Sequence, residues 1–247
     1  MCQSAGDRLL YIACASLAVA AVGCGDGTRP AGTVSMLNPN QPHYGKTYSE
    51  WAVEYMKWQF ETPFSILADI KACTPGQDME SAVVFLGEEQ ARHTEPHACE
   101  LASQKPIFLP LLRLSSPAAS YYVDSALVPS ASAAELQASV DDFMRRLVIE
   151  EAVVSVDGRT LQDPLLGRIE ATRYSYAPDP ADSALFEFYG VADPPPVVDP
   201  AYVSGYWLLL SALRPGQHEL FVAVRGHTGG ANIQVIREQY TYHLTQN

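Results

Sequence analysis

Residues Tyr206–Arg225 run YWLLLSALRPGQHELFVAVR, and this stretch decides the fold. Tyr206 to Ala212 is an apolar, β-prone run, Pro215-Gly216 interrupts it as a turn, and beyond the turn apolar and polar residues alternate. His218, Leu220, Val222 and Val224 therefore share one face of a strand covering Glu219 to Arg225. The same period of two returns near the end of the chain, where Tyr240, Tyr242 and Leu244 share a face within Ile233 to Thr245. Shorter strand signals stand at Ala82 to Leu86, Ile107 to Leu114, Ala152 to Val156 and Leu185 to Tyr189, and Asp157-Gly158 supplies a further turn. Many short strands with no alternation of strand and helix predict a mainly β fold, a β-sandwich or jelly-roll type domain with two peripheral α-helices.

Both helices announce themselves by capping boxes. Thr47-Tyr48-Ser49-Glu50 opens a helix running to about Phe60, with Trp51, Tyr55 and Trp58 on one face and Tyr48 a turn earlier. Ser132-Ala133-Ala134-Glu135 opens the second, whose apolar face is Leu136, Val140, Phe143, Met144 and Leu147. An aromatic stripe such as the first belongs more often to a core than to a binding surface. Ala192 to Pro200, with four prolines, reads as a stiff connection that stays out of any sheet.

The N-terminus carries an address. Leu9 to Val22 is an apolar run of 14 residues broken only by Ser16, short for a bilayer span and suited to the core of an export signal. It leads into Ala21-Val22-Gly23-Cys24, which is similar to a bacterial lipobox, so residues 1–23 are expected to be a signal peptide and Cys24 the site of lipid attachment. Secretion after cleavage near Ala20, or an uncleaved anchor, are the alternatives. Residues 24–43, rich in Gly, Pro, Asn and Thr, read as a lipid-anchored flexible tether, and residues 44–247 as one domain. Of five cysteines, Cys2 and Cys14 leave with the signal and Cys24 takes lipid. Cys73 and Cys99 remain, and outside the cytoplasm such a pair is expected to form a disulfide rather than two buried thiols.

Composition narrows function. With 47% hydrophobic and 18% charged residues the chain can bury a sizeable core. Twenty-eight acids against 16 bases, a net charge of −12, exclude the clustered cations that nucleic acid or an anionic membrane surface requires. Membrane attachment therefore falls to the lipid on Cys24.

Several segments together resemble a family of uncharacterised exported bacterial lipoproteins: Tyr44-Gly45-Lys46-Thr47-Tyr48 with Glu50-Trp51 and Trp58; Ala82 to Gly87 between Cys73 and Cys99; Lys105 to Pro110; Gly205 to Leu210; Pro215 to His218; and Thr241 to Thr245. The resemblance spans most of residues 44–245. It implies export, an aromatic helix and a β body, and no activity. Val84 stands where the family has Trp.

Motifs of chemistry are few. Gly45-Lys46-Thr47 matches the end of a P-loop, but position 40 is Asn where the motif needs Gly. His93 and His97, with Glu95 and Glu100, have metal-ligand types, yet Pro96 forbids the helix that would align them. Asp179, Asp182, Asp193 and Asp199 sit in Pro-rich loops at a spacing that fits no EF-hand. Neither Gly-x-Ser-x-Gly nor His-Glu-x-x-His occurs. No catalytic residue, metal or cofactor is assigned. The expectation is a non-catalytic module that binds a ligand or an envelope protein, with Trp51, Tyr55, Trp58, Trp207, His218 and His243 as its candidate ligand surface. The alternative is an extracytoplasmic hydrolase or carbohydrate-active enzyme with an aromatic-lined groove. A structural subunit is the third reading.

Overall fold

The computed structural model describes residues 34–67, 74–78, 80–87, 97–101, 104–118, 121–123, 126–128, 130–182, 195–230 and 233–247. Cys24, Cys73, His93, Glu95, Asp193 and the strand expected at Leu185 to Tyr189 lie outside them, as does the side chain of Cys99.

The chain is mainly β, as its periodicity predicts. One sheet has the order β1-β3-β9-β8, from Val84–Phe85, Ile107–Pro117, Val198–Leu210 and Arg168–Tyr176. The second has the order β2-β11-β10-β6-β7, from His97–Leu101, Val235–Gln246, Gly216–Thr228, Leu147–Val156 and Arg159–Thr160. A small hairpin, β4 (Tyr121–Val123) with β5 (Ala126–Val128), stands apart. Pairing is antiparallel except for β1 with β3 and β2 with β11.

The four-stranded sheet is covered on both faces, which explains why Tyr206 to Leu210 reads as a continuous apolar run and not as an alternation. Trp207 and Leu209 point to one side, where they meet Tyr55, Met56 and Phe60 of α1 (Tyr48–Glu61). Leu208 and Leu210 point to the other, where Val222 and Val224 of β10 and Tyr242 and Leu244 of β11 close the sandwich. Lower on that same side, Tyr202 is covered by Leu136 and Val140 of α3 (Ala133–Arg146), which passes directly into β6. Two tyrosines tie the sheets together: Tyr240 donates to the Pro110 carbonyl at 2.9 Å and Tyr242 to that of Gly87 at 2.6 Å. A four-residue helix, α2 (Phe64–Leu67), follows α1.

Both capping boxes form. The Thr47 hydroxyl accepts from the Glu50 amide while the Glu50 carboxylate accepts from the Thr47 amide at 2.7 Å, and Ser132 with Glu135 repeats the arrangement. Each box satisfies amides that a helix start leaves open.

Two expectations change. Pro200 lies inside β9, because Asp199 and Pro200 fall where the β8 pairing slips between Tyr174 and Tyr176; at such an irregularity the missing proline N–H costs no ladder bond. Residues before Tyr44 also pack on the domain. Residues 34–37 form a strap on β9, with the Leu37 amide donating to the Leu209 carbonyl at 2.8 Å and the Ser211 amide to that of Ser35 at 2.9 Å. Tyr48 locks it, donating to the Leu37 carbonyl at 2.8 Å and accepting from the Leu209 amide at 3.1 Å. Burial pushes the Tyr48 phenol upward, so it stays a donor. Backbone pairing supplies the strap's order, and composition is blind to that.

Candidate functional site

The aromatic residues proposed as a ligand surface do not form one. Trp207 is 0% exposed, stacked on Phe108 at 5.3 Å and edge-on to Tyr55 at 5.2 Å, and Tyr55 is equally buried. Trp51 and Trp58 are 4% and 8% exposed and pack around Phe85. The helix offers its aromatic face to the sheet because that is where the apolar area can be removed from water. A surface patch of Trp51, Tyr55, Trp58 and Trp207 is therefore corrected to a core cluster, and only the rims of Trp51 and Trp58 reach a cleft above it.

That cleft, about 570 Å³, lies between the outer side of α1 and the segment 76–85. Its walls are fixed from beneath. The Trp58 indole donates to the Pro75 carbonyl at 2.7 Å, and that of Trp51 to the His43 carbonyl at 3.0 Å. Gln77 reads the backbone of Phe85 in both senses, accepting from its amide at 2.8 Å and donating to its carbonyl at 2.6 Å. Gly76, at φ +66, sits so close to α1 that a Cβ there would lie 2.6 Å from Thr62 Cγ2. Side chain to backbone bonds of this kind hold a site in its ligand-ready shape at no cost on binding.

Beside the aromatic rims of Trp51, Trp58 and Phe85 the lining carries charges of both signs, Lys46, Glu54, Lys57, Glu61 and Asp78, with Ser81 next to them. Lys46 stands 5.0 Å over the Trp51 ring and 3.1 Å from Glu54, while Glu61 accepts from the Ala177 amide at 3.0 Å. Tyr44 forms the mouth, its side chain 53% exposed. It occupies the left-handed region at φ 55, followed by Gly45 at φ 83, in a two-residue turn closed by His43 and Lys46. Sequence reasoning stopped short of this site. The signal available was a bulky aromatic in the slot where such turns take Asn, Asp or Gly.

His218 and His243 belong elsewhere, beside a second depression of about 460 Å³ at one end of the five-stranded sheet. His218 is a latch. Its Nδ1 donates to Asp157 Oδ2 and its Nε2 to the Arg214 carbonyl, both at 2.8 Å, while Asp157 Oδ1 accepts from the Glu219 amide at 3.0 Å. Both ring partners are acceptors, so the imidazolium is the form that fits. Burial opposes that charge, but the Asp157 carboxylate and the Arg214 carbonyl outweigh it and hold His218 above its ordinary pKa. Burial likewise opposes the Asp157 anion, and the bonds from His218 and Glu219 hold it below the usual carboxylate value. His243 pairs across the strands with Glu219. His218 thus binds the β6–β7 turn to a corner of the sandwich, while His243 lines the same depression.

Among the described residues, no three His, Cys, Asp or Glu side chains converge as a metal site, and no helix is long and apolar enough to cross a membrane. Asp182 is used locally, accepting from the Ser65 amide at 2.9 Å, and Asp199 faces Arg173 at 3.0 Å. No protein-family model matches the chain, and no curated protein or solved structure matches it.

Proposed function

We propose that the chain is an exported envelope lipoprotein, anchored through Cys24, whose β-sandwich carries a non-catalytic ligand-binding module with its site in the cleft beside α1. The observation that supports this reading is the cleft's prior organisation: two indoles and one glutamine spend their hydrogen bonds on holding its walls. Its volume falls in the range of small-molecule sites.

The hydrolase alternative draws on Glu54 and Glu61, the two carboxylates on the cleft side of α1. Seven residues apart, their backbones are separated by about 10 Å along the helix axis. Each is also engaged, Glu54 with Lys46 and Glu61 with the Ala177 amide. Binding without turnover suits them better.

The test fills the cleft. Ala82 is exposed and lines it. Fractionated envelope extract should raise the melting temperature of the purified protein and leave Ala82→Trp unmoved. An equal rise in both would place the ligand elsewhere.

A further inference from the structure

We infer that the cleft's ligand is a neutral oligosaccharide, with Tyr44 as the ring on which a sugar stacks; this rests on the cleft being the binding site proposed above. Tyr44 carries the argument. A bulky side chain in the left-handed region is strained, and strain of that kind persists where the surroundings impose it, commonly at ligand sites. Here the surroundings are specific: the His43 and Lys46 backbones pair at 2.8 and 3.1 Å, and the Trp51 indole holds the His43 carbonyl. The fold thus fixes at residue 44 a backbone conformation that disfavours tyrosine, and the chain puts a half-exposed tyrosine there, whereas the positive-φ positions 45 and 76 nearby carry glycine. Asn would relieve the turn and Gly would suit it as well, so neither local stability nor packing accounts for the ring.

The lining defines the partner's chemistry. Lys46 and Lys57 oppose Glu54, Glu61 and Asp78, so neither a polyanion nor a polycation finds a complementary field. A peptide adding as a β-strand would need a free strand edge, and the described residues of the wall offer none. The Phe85 amide and carbonyl are taken by Gln77, and the Val84 and Leu86 amides donate to Pro106 and Phe108 at 2.8 and 3.2 Å. A largely apolar ligand would take the cleft's charged side chains out of water without offering any of them a further hydrogen bond. Aromatic rims beside charged groups of both signs suit a ligand with flat C–H faces and many hydroxyls, each able to donate to a carboxylate and accept from an ammonium or amide. A pyranose chain has that character, and the cleft has room for a short one.

Titration of the purified full-length mature protein with neutral tetrasaccharides (β-1,4-glucose, β-1,4-N-acetylglucosamine and α-1,4-glucose series), followed by intrinsic tryptophan fluorescence and calorimetry, tests the inference. Tyr44→Asn is the informative variant because Asn suits the turn. At least one series should bind to the wild type, and Tyr44→Asn should weaken it about tenfold or more with an unchanged or higher melting temperature. Binding that Tyr44→Asn leaves intact would overturn the stacking role. If only short peptides bind, and Ala82→Trp abolishes that binding, the sugar assignment falls and the cleft stands. If the envelope extract stabilises Ala82→Trp as well as the wild type, both readings fall together.

Discussion

Replacing Trp207 with Ala removes the side chain on which the helix and the four-stranded sheet converge. The indole is fully buried between Phe108 and Tyr55, so the loss combines its transfer from water with the cavity it leaves. Tryptophan to alanine changes at such sites cost about 4 kcal/mol. For a domain of this size each kcal/mol is worth about 2–4 °C, so the melting temperature should fall by about 8–16 °C. Trp207→Phe keeps a ring against Phe108 and should cost about 1.5 kcal/mol. Urea titration followed by far-UV circular dichroism is the assay, since Trp207 is one of three tryptophans and its removal alters the fluorescence. The midpoint should shift without a change of slope. A loss below about 1.5 kcal/mol for Trp207→Ala would refute the placement of this residue at the centre of the core.

The His218 latch makes stability depend on pH in both directions. A raised histidine stabilises below its ordinary value of 6.5 and loses that contribution as pH climbs through its folded value; a lowered aspartate stabilises above 3.8 and loses it as pH falls. The difference in unfolding free energy between wild type and Asp157→Asn, from urea titration, should therefore be widest between those values, about 1 kcal/mol after allowing for the exposure of Asp157, and a flat difference from pH 4 to 9 would count against the latch. Thr47→Ala and Ser132→Ala should each cost about 1 kcal/mol, and their sum should equal the double variant because the caps lie on separate helices. Gly167→Ala places a Cβ 1.8 Å from the Trp207 carbonyl oxygen, so soluble yield and melting temperature should both drop sharply; a variant as stable as the wild type would show that this backbone contact is slack.

Local physics made much of the body legible. The two capping boxes depend on residues three apart, and both form. The alternation at Leu220, Val222 and Val224 and at Tyr240, Tyr242 and Leu244 places each on the inner face of the five-stranded sheet, because that sheet has one dry side. Strand β8 escaped notice: Arg168, Glu170 and Arg173 dilute its apolar signal, since it is an edge strand whose outer positions face water. Where β9 begins was hidden by Pro200, whose place depends on a slip in pairing with a distant strand. The cleft was the least legible part. Gln77, Phe85, Trp58 and Pro75 meet only after the 74–86 segment has docked on α1, and no spacing in the sequence encodes that contact. Tyr44 stood in the sequence only within the resembling Tyr44 to Tyr48 segment, and its left-handed backbone follows from the pairing of His43 with Lys46.

The central claim, a binding domain held at a membrane by its first mature residue, is tested most directly by intact mass and detergent partitioning of the protein expressed in a bacterium beside Cys24→Ala. The wild-type chain should begin at Cys24 with a diacylglyceryl mass and enter the detergent phase, and the variant should lose both properties. A water-soluble wild-type product, cleaved before Cys24 and carrying no lipid, would contradict it.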